Sequence, residues 1–325
     1  NSLSNIENDY DKFKDKNVSV SNKLKIYIGE TKKEIQILRE KRDGVIESNW
    51  KKVLKSDIAM DKLSLRILKR GNVVGGENPK VIEERLTINE LLLKKGIEPI
   101  ETRVSIKSYN LMNLILGNIV PLILIMTILL FSTDAVSSDI DGGTFKLILT
   151  QSISRNKVIL SKVISYSLIC LLITGLLFTT FFIGSSIMVG TSSPEYPTKF
   201  YTGSFIDIKD FLIYSIPLLI LVVLATVSIS VFLSTVIGNS LSAISIAIIG
   251  YISFFIMNSQ LKILSKIAHI IPFTYFDVSG LLSGGLSSTY ENINITYMNG
   301  IIILIITILL LNIISILNFR KKDIL

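Results

Sequence analysis

Five apolar runs, at residues 111–133, 158–189, 211–237, 241–258 and 300–319, contain between them a single charged side chain, Lys162 near one end of the second. A charge at the centre of a spanning helix costs roughly 2.5–3.5 kcal/mol on insertion scales. A bilayer crossing needs about 20 predominantly apolar residues. Runs this long and this free of charge are what burial in lipid demands. Backbone polar groups in lipid must be satisfied within the segment, so the runs are read as helices and the chain as an all-α polytopic membrane protein. Hydrophobic residues make up 49% of the chain and concentrate beyond Leu111, which places the bulk of it in the membrane.

Residues 1–110 read differently. They hold 23 Lys and Arg against 17 Asp and Glu, six of the eight net positive charges. The charges are mixed in sign and lack aromatic interleaving, so a solvated helical face is favoured over a nucleic-acid surface. Over residues 33–58, Ile35, Leu38, Val45, Ile46, Trp50, Val53, Leu54 and Ile58 recur at helical spacing, and a second helix follows through Leu68. Gly71, Gly75 and Gly76 interrupt the pattern. Asn78 then caps a helix opened by Pro79, which carries Val81, Ile82, Leu86, Leu91 and Leu92 and stops at Gly96 before Pro99. An apolar stripe this sparse supports helix pairs with little core.

Several chemistries are excluded or disfavoured. Cys170 is the only cysteine, so the chain forms no internal disulfide and no cysteine metal site. His269 is the only histidine and reads as an interfacial polar residue rather than a metal ligand. No G-x-x-x-x-G-K-[ST] phosphate loop occurs, so the chain is not itself a P-loop ATPase. The runs carry no acid on which an ion-coupled carrier would bind its coupling ion. The energy source is therefore expected outside the chain.

Between the first two runs lies a polar stretch, 134–157, with a Gly-Gly break at Gly142 and Gly143 and a short amphipathic piece over 144–150. In order it shows Asp141, Gly143-Thr144, Phe145-Lys146, Ile153-Ser154-Arg155, Lys157 and Lys162. This resembles the cytoplasmic coupling segment of ABC-2 type permeases, the membrane subunits of bacterial ABC exporters. A Glu, a Gly-Thr and a Pro-x-Ser-Arg are usual there; Asp141 stands for the Glu and Ser152 for the Pro. The resemblance implies an exporter-type helix bundle working as a dimer, with a second permease copy or a related permease. It also implies two ABC ATPase subunits, on which ATP and magnesium sit, the permease itself holding no cofactor and no metal. Asp141, Gly143, Thr144, Phe145, Lys146, Ser154 and Arg155 would be the ATPase-coupling residues.

Lys and Arg in short loops orient the spans. Arg320, Lys321 and Lys322 in the tail, and Lys146, Arg155, Lys157 and Lys162 in the polar stretch, place both in the cytoplasm of a bacterial cell. Counting back through five spans puts residues 1–110 outside. The family has six spans with a helical extracellular insertion after the first, so a sixth is expected upstream. The stretch 261–286, with Ile270-Ile271-Pro272-Phe273 and Gly280, Gly284 and Gly285, reads either as an outer re-entrant or interfacial helix pair or as an aromatic belt with Tyr275 and Phe276 as members. Thr226, Ser230 and Ser234 share one helix face at i, i+4, i+8. Helix packing is favoured for them over a substrate path, and likewise for Ala243 and Ala247.

Export of antimicrobial or amphipathic peptides or drugs is the expected function, with membrane lipid as surroundings and no nucleic acid. Two rivals stay open: a membrane-anchored sensor or assembly protein, and a secondary carrier. The coding sequence upstream of Asn1 is expected to encode one more apolar span of about 20 residues. Reading it tests this, and a start codon at or just before Asn1 with no apolar run would overturn it.

Overall fold

The computed structural model describes residues 18–70, 77–100, 107–117, 119–143, 154–260 and 262–321. The chain divides into two compact units, Asn1–Arg103 and Val104–Leu325.

In the first unit α1 (Val18–Ile46) packs on α2 (Trp50–Lys69), and α2 on α3 (Pro79–Lys95). The apolar periodicity over 33–58 is not one helix. The chain turns back at 47–49, where Ser48 takes a φ of 51° and Asn49 caps α2 by accepting from the Lys52 amide at 3.2 Å. Of the named residues only Leu54 and Ile58 of α2 are buried, whereas Leu38, Val45 and Ile46 lie exposed on α1, so the period that runs across the turn marks no single packed face shared by α1 and α2. They approach closely at Gly44, where a Cβ would meet Val53 at 3.1 Å. Helix α3 opens on the Asn78 cap with Pro79 in its first turn. It closes on Gly96 at φ 67°, a left-handed conformation that side chains resist.

Among the described residues of this unit the buried hydrophobics are Ile28, Leu54, Ile58, Leu63, Ile82 and Leu92. Among them lies Asp61, with a side chain only 3% exposed. Arg85 of α3 grips it with a two-pronged fork, Nε at 2.9 Å and Nη2 at 2.6 Å from Oδ1, and turns its other edge to Glu77. Ion pairs Lys41–Asp57, Lys62–Glu90 and Arg70–Glu30 tie the rest of the helix surfaces. The exposed pairs Lys41–Asp57 and Lys62–Glu90 contribute little; Glu30 and Asp61 are the buried carboxylates, and the fork on Asp61 is the specific contact. Removing one partner of a buried pair strands the other, which typically costs about 3–5 kcal/mol. Arg85→Ala is therefore expected to unfold this unit at lower denaturant in the intact protein, followed by the fluorescence of Trp50, the only tryptophan. Arg85→Lys, which keeps the charge but loses the fork, should fall between; equal stability of all three proteins would contradict the assignment.

The second unit is a polytopic all-α membrane protein. Among the described residues four helices are long and apolar enough to cross a membrane: Pro121–Asp141, Arg155–Met188, Ile208–Ile237 and Tyr297–Arg320. Two expectations change. The run 111–133 is not one span: α4 (Ser108–Ile115) ends before Gly117, and the chain resumes as α5 (Ile119–Ser132) and α6 (Asp134–Asp141) with a one-residue break at Thr133. The first span thus extends into the stretch read as a polar loop, and it carries Asp134, Asp139 and Asp141, so the spans are not free of acids. The run 241–258 forms α9 (Ser240–Gln260), whose described apolar part, Ser240–Ile256, is shorter than the other four.

Helix α8 (Ile208–Ile237) is the centre of this unit, packing against α4, α5, α6, α7 (Arg155–Met188), α9 and α13 (Tyr297–Lys321). Half of its most apolar stretch is buried, against 17% for α7 and α13. The outer faces of α7 and α13 are left for lipid. Helices α7 and α9 start at one end of the bundle, where α6, α8 and α13 finish; this is called the Asp141 end. At the other end, β1 (Pro197–Lys199) pairs antiparallel with β2 (Phe205–Asp207) in a short hairpin.

Beside the hairpin, the chain from 262 to 289 folds as α10 (Lys262–Ile267), two 3-10 turns, α11 (Val278–Leu282) and α12 (Gly285–Thr289). Tyr275 and Phe276 are 0% and 2% exposed, so they belong to the core and not to an aromatic belt. Tyr275 donates to the His269 carbonyl at 2.7 Å, and Asn299 of α13 donates to both groups. Helix α13 comes so close that a Cβ on Gly300 would sit 2.8 Å from the Tyr275 ring.

Candidate functional site

The break between α5 and α6 creates a local debt of hydrogen bonds. A helix start leaves amide N–H groups without intrahelical acceptors, and within an apolar bundle water cannot supply them. Ser234, fully buried on α8, supplies the acceptor: its Oγ receives the amides of Val136 at 2.9 Å and Ser137 at 2.8 Å. Its own proton goes to Ser137 Oγ at 3.2 Å, which also accepts from Ser240 Oγ of α9 at 3.2 Å and donates to the Thr133 carbonyl. Three helices meet through three serine hydroxyls.

One turn on, Asp141 ends α6 and caps α9. Its Oδ2 accepts the Ser240 amide at 2.9 Å, with the Asn239 amide nitrogen at 3.4 Å. Asn239 Oδ1 in turn accepts the Ser242 amide at 3.0 Å. A carboxylate at a helix N-terminus satisfies an orphan donor and opposes the positive end of the helix dipole. Gly142 and Gly143 close α6, Gly143 at φ 68° with its amide on the Ile140 carbonyl. Thr144, Phe145, Lys146 and Ser152 lie outside the described residues. The described chain resumes at Ser154, whose extended backbone offers its carbonyl to the Lys157 amide.

Arg155 opens α7 and donates through Nη1 to the Arg320 carbonyl at 3.1 Å, near the C-terminal end of α13. Arg320 returns the contact, its Nε donating to Asn156 Oδ1 at 2.7 Å. A cation at a helix C-terminus is favoured by the same dipole. Lys162 Nζ pairs with Asp139 Oδ2 at 2.7 Å, joining α7 to α6. Both ends of the segment 142–154 are thus bonded into the bundle, one to α8 and α9 and the other to α13.

Of the three hydroxyls on the α8 face, Thr226 and Ser230 bond to carbonyls one turn back, at 2.7 and 2.9 Å, and are fully buried. Only Ser234 crosses to another helix. Ser228, on a different face, receives Asn312 of α13 at 3.0 Å. Ala243 and Ala247 are buried on α9. Among the described residues no group of three or more His, Cys, Asp or Glu could hold a metal ion. The site's chemistry is that of a hydrogen-bonded joint. Sequence reasoning missed Ser137, Asn239, Ser240 and the partnership of Arg155 with Arg320. Asn239, set between Gly238 and an apolar run, carried a legible N-cap signal.

A helix bundle of this kind defines a polytopic membrane protein built around one central span. The chain belongs to the family described as protein of unknown function (DUF2705), whose profile matches residues 97–325. No curated protein and no solved structure matches the chain.

Ser234→Ala removes the acceptor of two buried amides, and an unsatisfied buried group costs about 1–3 kcal/mol. The variant should insert normally, melt at lower temperature in detergent, and exchange the Val136 and Ser137 amide protons faster while amides elsewhere on α8 keep their rates. Unchanged exchange at both positions would show that the Ser234 hydroxyl is not their acceptor.

Proposed function

We propose that this chain is the permease subunit of an ATP-driven exporter of the ABC-2 type in a bacterial cell membrane. In this reading the segment 142–154 and the carboxyl terminus face the cytoplasm and the amino-terminal helical unit lies outside. Two permeases pair, and two ABC ATPase subunits bind below and carry ATP and magnesium. The chain itself makes and breaks no bond. The observation that carries the reading is the double anchorage of 142–154. A push on it reaches α8 and α9 through Ser234 and Asp141, and α13 through Arg155. A loop with slack ends would absorb the same push locally. Antimicrobial or amphipathic peptides, or drugs, are the proposed cargo.

One observation favours a secondary carrier instead: Asp134 Oδ1 is buried in the first span without a hydrogen-bond partner among the described residues. Transport in vesicles separates the two. Export that needs ATP and the ATPase supports the permease, whereas export that persists without ATP and collapses with the ion gradient supports the carrier.

Phe145 is the largest apolar side chain of the segment, and burying one such side chain contributes about 1.5–3 kcal/mol. Phe145→Ala is expected to leave the protein inserted and paired but to reduce substrate-stimulated ATP hydrolysis and transport several-fold. Arg155→Ala should have a smaller effect. Full transport and normal ATPase association in Phe145→Ala would show that the segment is an ordinary loop.

A further inference from the structure

A cleft of about 450 Å3 opens sideways from the half of the bundle nearest the hairpin, between α4, α7 and α8. Met112 of α4, Leu171, Gly175 and Phe182 of α7, and Leu212 and Ile220 of α8 form much of its wall. Helices α7 and α8 run antiparallel here, so Phe182 and Leu212 stand at the rim and Leu171 and Ile220 at the floor. Eleven residues separate Leu171 from Phe182, a rise of about 16 Å along the helix. The hydrocarbon core of a bilayer is about 30 Å thick, so the cleft runs one leaflet deep, along the membrane normal.

The wall offers hydrocarbon almost throughout. Its hydroxyls, on Thr174, Thr179 and Ser215, each donate to a carbonyl of their own helix, at 2.8, 2.7 and 2.6 Å. At Gly175 a Cβ would meet nothing within 4 Å, so the missing side chain leaves its volume to the cleft. Gly175, Thr179, Ile216 and Ile220 are exposed along the open side, which continues into the outward face of α7 at Leu172 and Leu176. The occupant therefore comes from the lipid phase.

Size decides between the candidates from that phase. A helix of a neighbouring copy is about 10 Å across with its side chains. Helices α4, α7 and α8 all pack on one another around the cleft, so no gap of that width opens between them. A single hydrocarbon chain lying along the membrane normal matches both its length and its narrowness. Charge at the rim is mixed, with Lys209 beside Asp207 at 3.7 Å and Asp210 in the same turn, so the fit is to the chain and not to a headgroup.

We propose that this cleft binds one acyl chain of a membrane phospholipid, in the leaflet on the hairpin side. The proposal stands independently of any ATPase. It is tested on the full chain in nanodiscs of phosphatidylcholine carrying a diazirine near either the carboxyl or the methyl end of one acyl chain. After illumination, labelled residues are mapped by mass spectrometry. The carboxyl-end probe should label Met112, Phe182 and Leu212, and the methyl-end probe Leu171 and Ile220, above the lipid-facing Ile164 and Leu168 outside the cleft. Gly175→Phe should cut cleft labelling several-fold and leave Ile164 and Leu168 unchanged. If that variant does not fold, the depth order in the unaltered protein decides. Labelling no stronger in the cleft than outside it, or without depth order, would overturn the proposal. So would disulfide-linked pairs of a Thr179→Cys protein made in a Cys170→Ser background, which would seat a second copy there. A retained non-lipid molecule in an unlabelled cleft would overturn it as well.

Discussion

An apolar surrounding tolerates a broken helix only if every exposed amide finds a partner, and the membrane unit turns on how that condition is met at Thr133. The acceptor is a single hydroxyl, Ser234, placed on the central helix α8. Because it comes from α8, the break in the first span is also a joint between helices. Ser137 and Ser240 extend the joint to α9, and Asp141 closes it by capping the start of that helix. A polar stretch that would be costly in lipid becomes the place where three helices are held in register.

The same logic appears at the far end of the segment. Arg155 and Arg320 exchange hydrogen bonds between the start of α7 and the end of α13, and Lys162 pairs with Asp139 between α7 and α6. Both guanidinium groups lie at the C-terminal end of α13, whose dipole favours a cation. The hairpin end combines apolar closure around Tyr275, Phe276 and Leu282 with hydrogen bonds among Tyr275, the His269 carbonyl and Asn299. Directional bonds thus tie both ends of the bundle. In the amino-terminal unit a sparse apolar core is supplemented by a buried Asp61 held in the fork of Arg85.

Much of this was legible from residue order. Lipid-spanning helices follow from the length of charge-free runs, and the start and stop of α3 follow from Asn78-Pro79 and Gly96. What was not legible depends on contacts distant in sequence. Nothing local says that Asp134–Asp141 continues a span, because the amides that would forbid it are satisfied by a residue about a hundred positions away. The α1–α2 turn was hidden because Leu38, Val45 and Ile46, exposed on α1, happen to continue the spacing of the residues that α2 buries, through the reversal at Ser48-Asn49. For 261–286 a helix pair and an aromatic belt with Tyr275 and Phe276 both stayed open, because composition cannot separate an aromatic at the interface from one packed beneath it. Ser234 was singled out for its spacing, while its bonds to Val136 and Ser137 required the fold.

The claim at the centre of the proposed function is mechanical: a displacement of the segment 142–154 would be carried to the opposite end of the bundle. Electron–electron resonance distances between paired copies test it, with spin labels at Lys157 beside the segment in one sample and at Thr202 in the hairpin loop in another, both in a Cys170→Ser background. The predicted result is that ATP, added with the proposed ATPase partner, shifts both distance distributions together. A shift at Lys157 with an unmoved distribution at Thr202 would contradict the claim, since the joint at Ser234 and Asp141 would then hold the helices without transmitting motion.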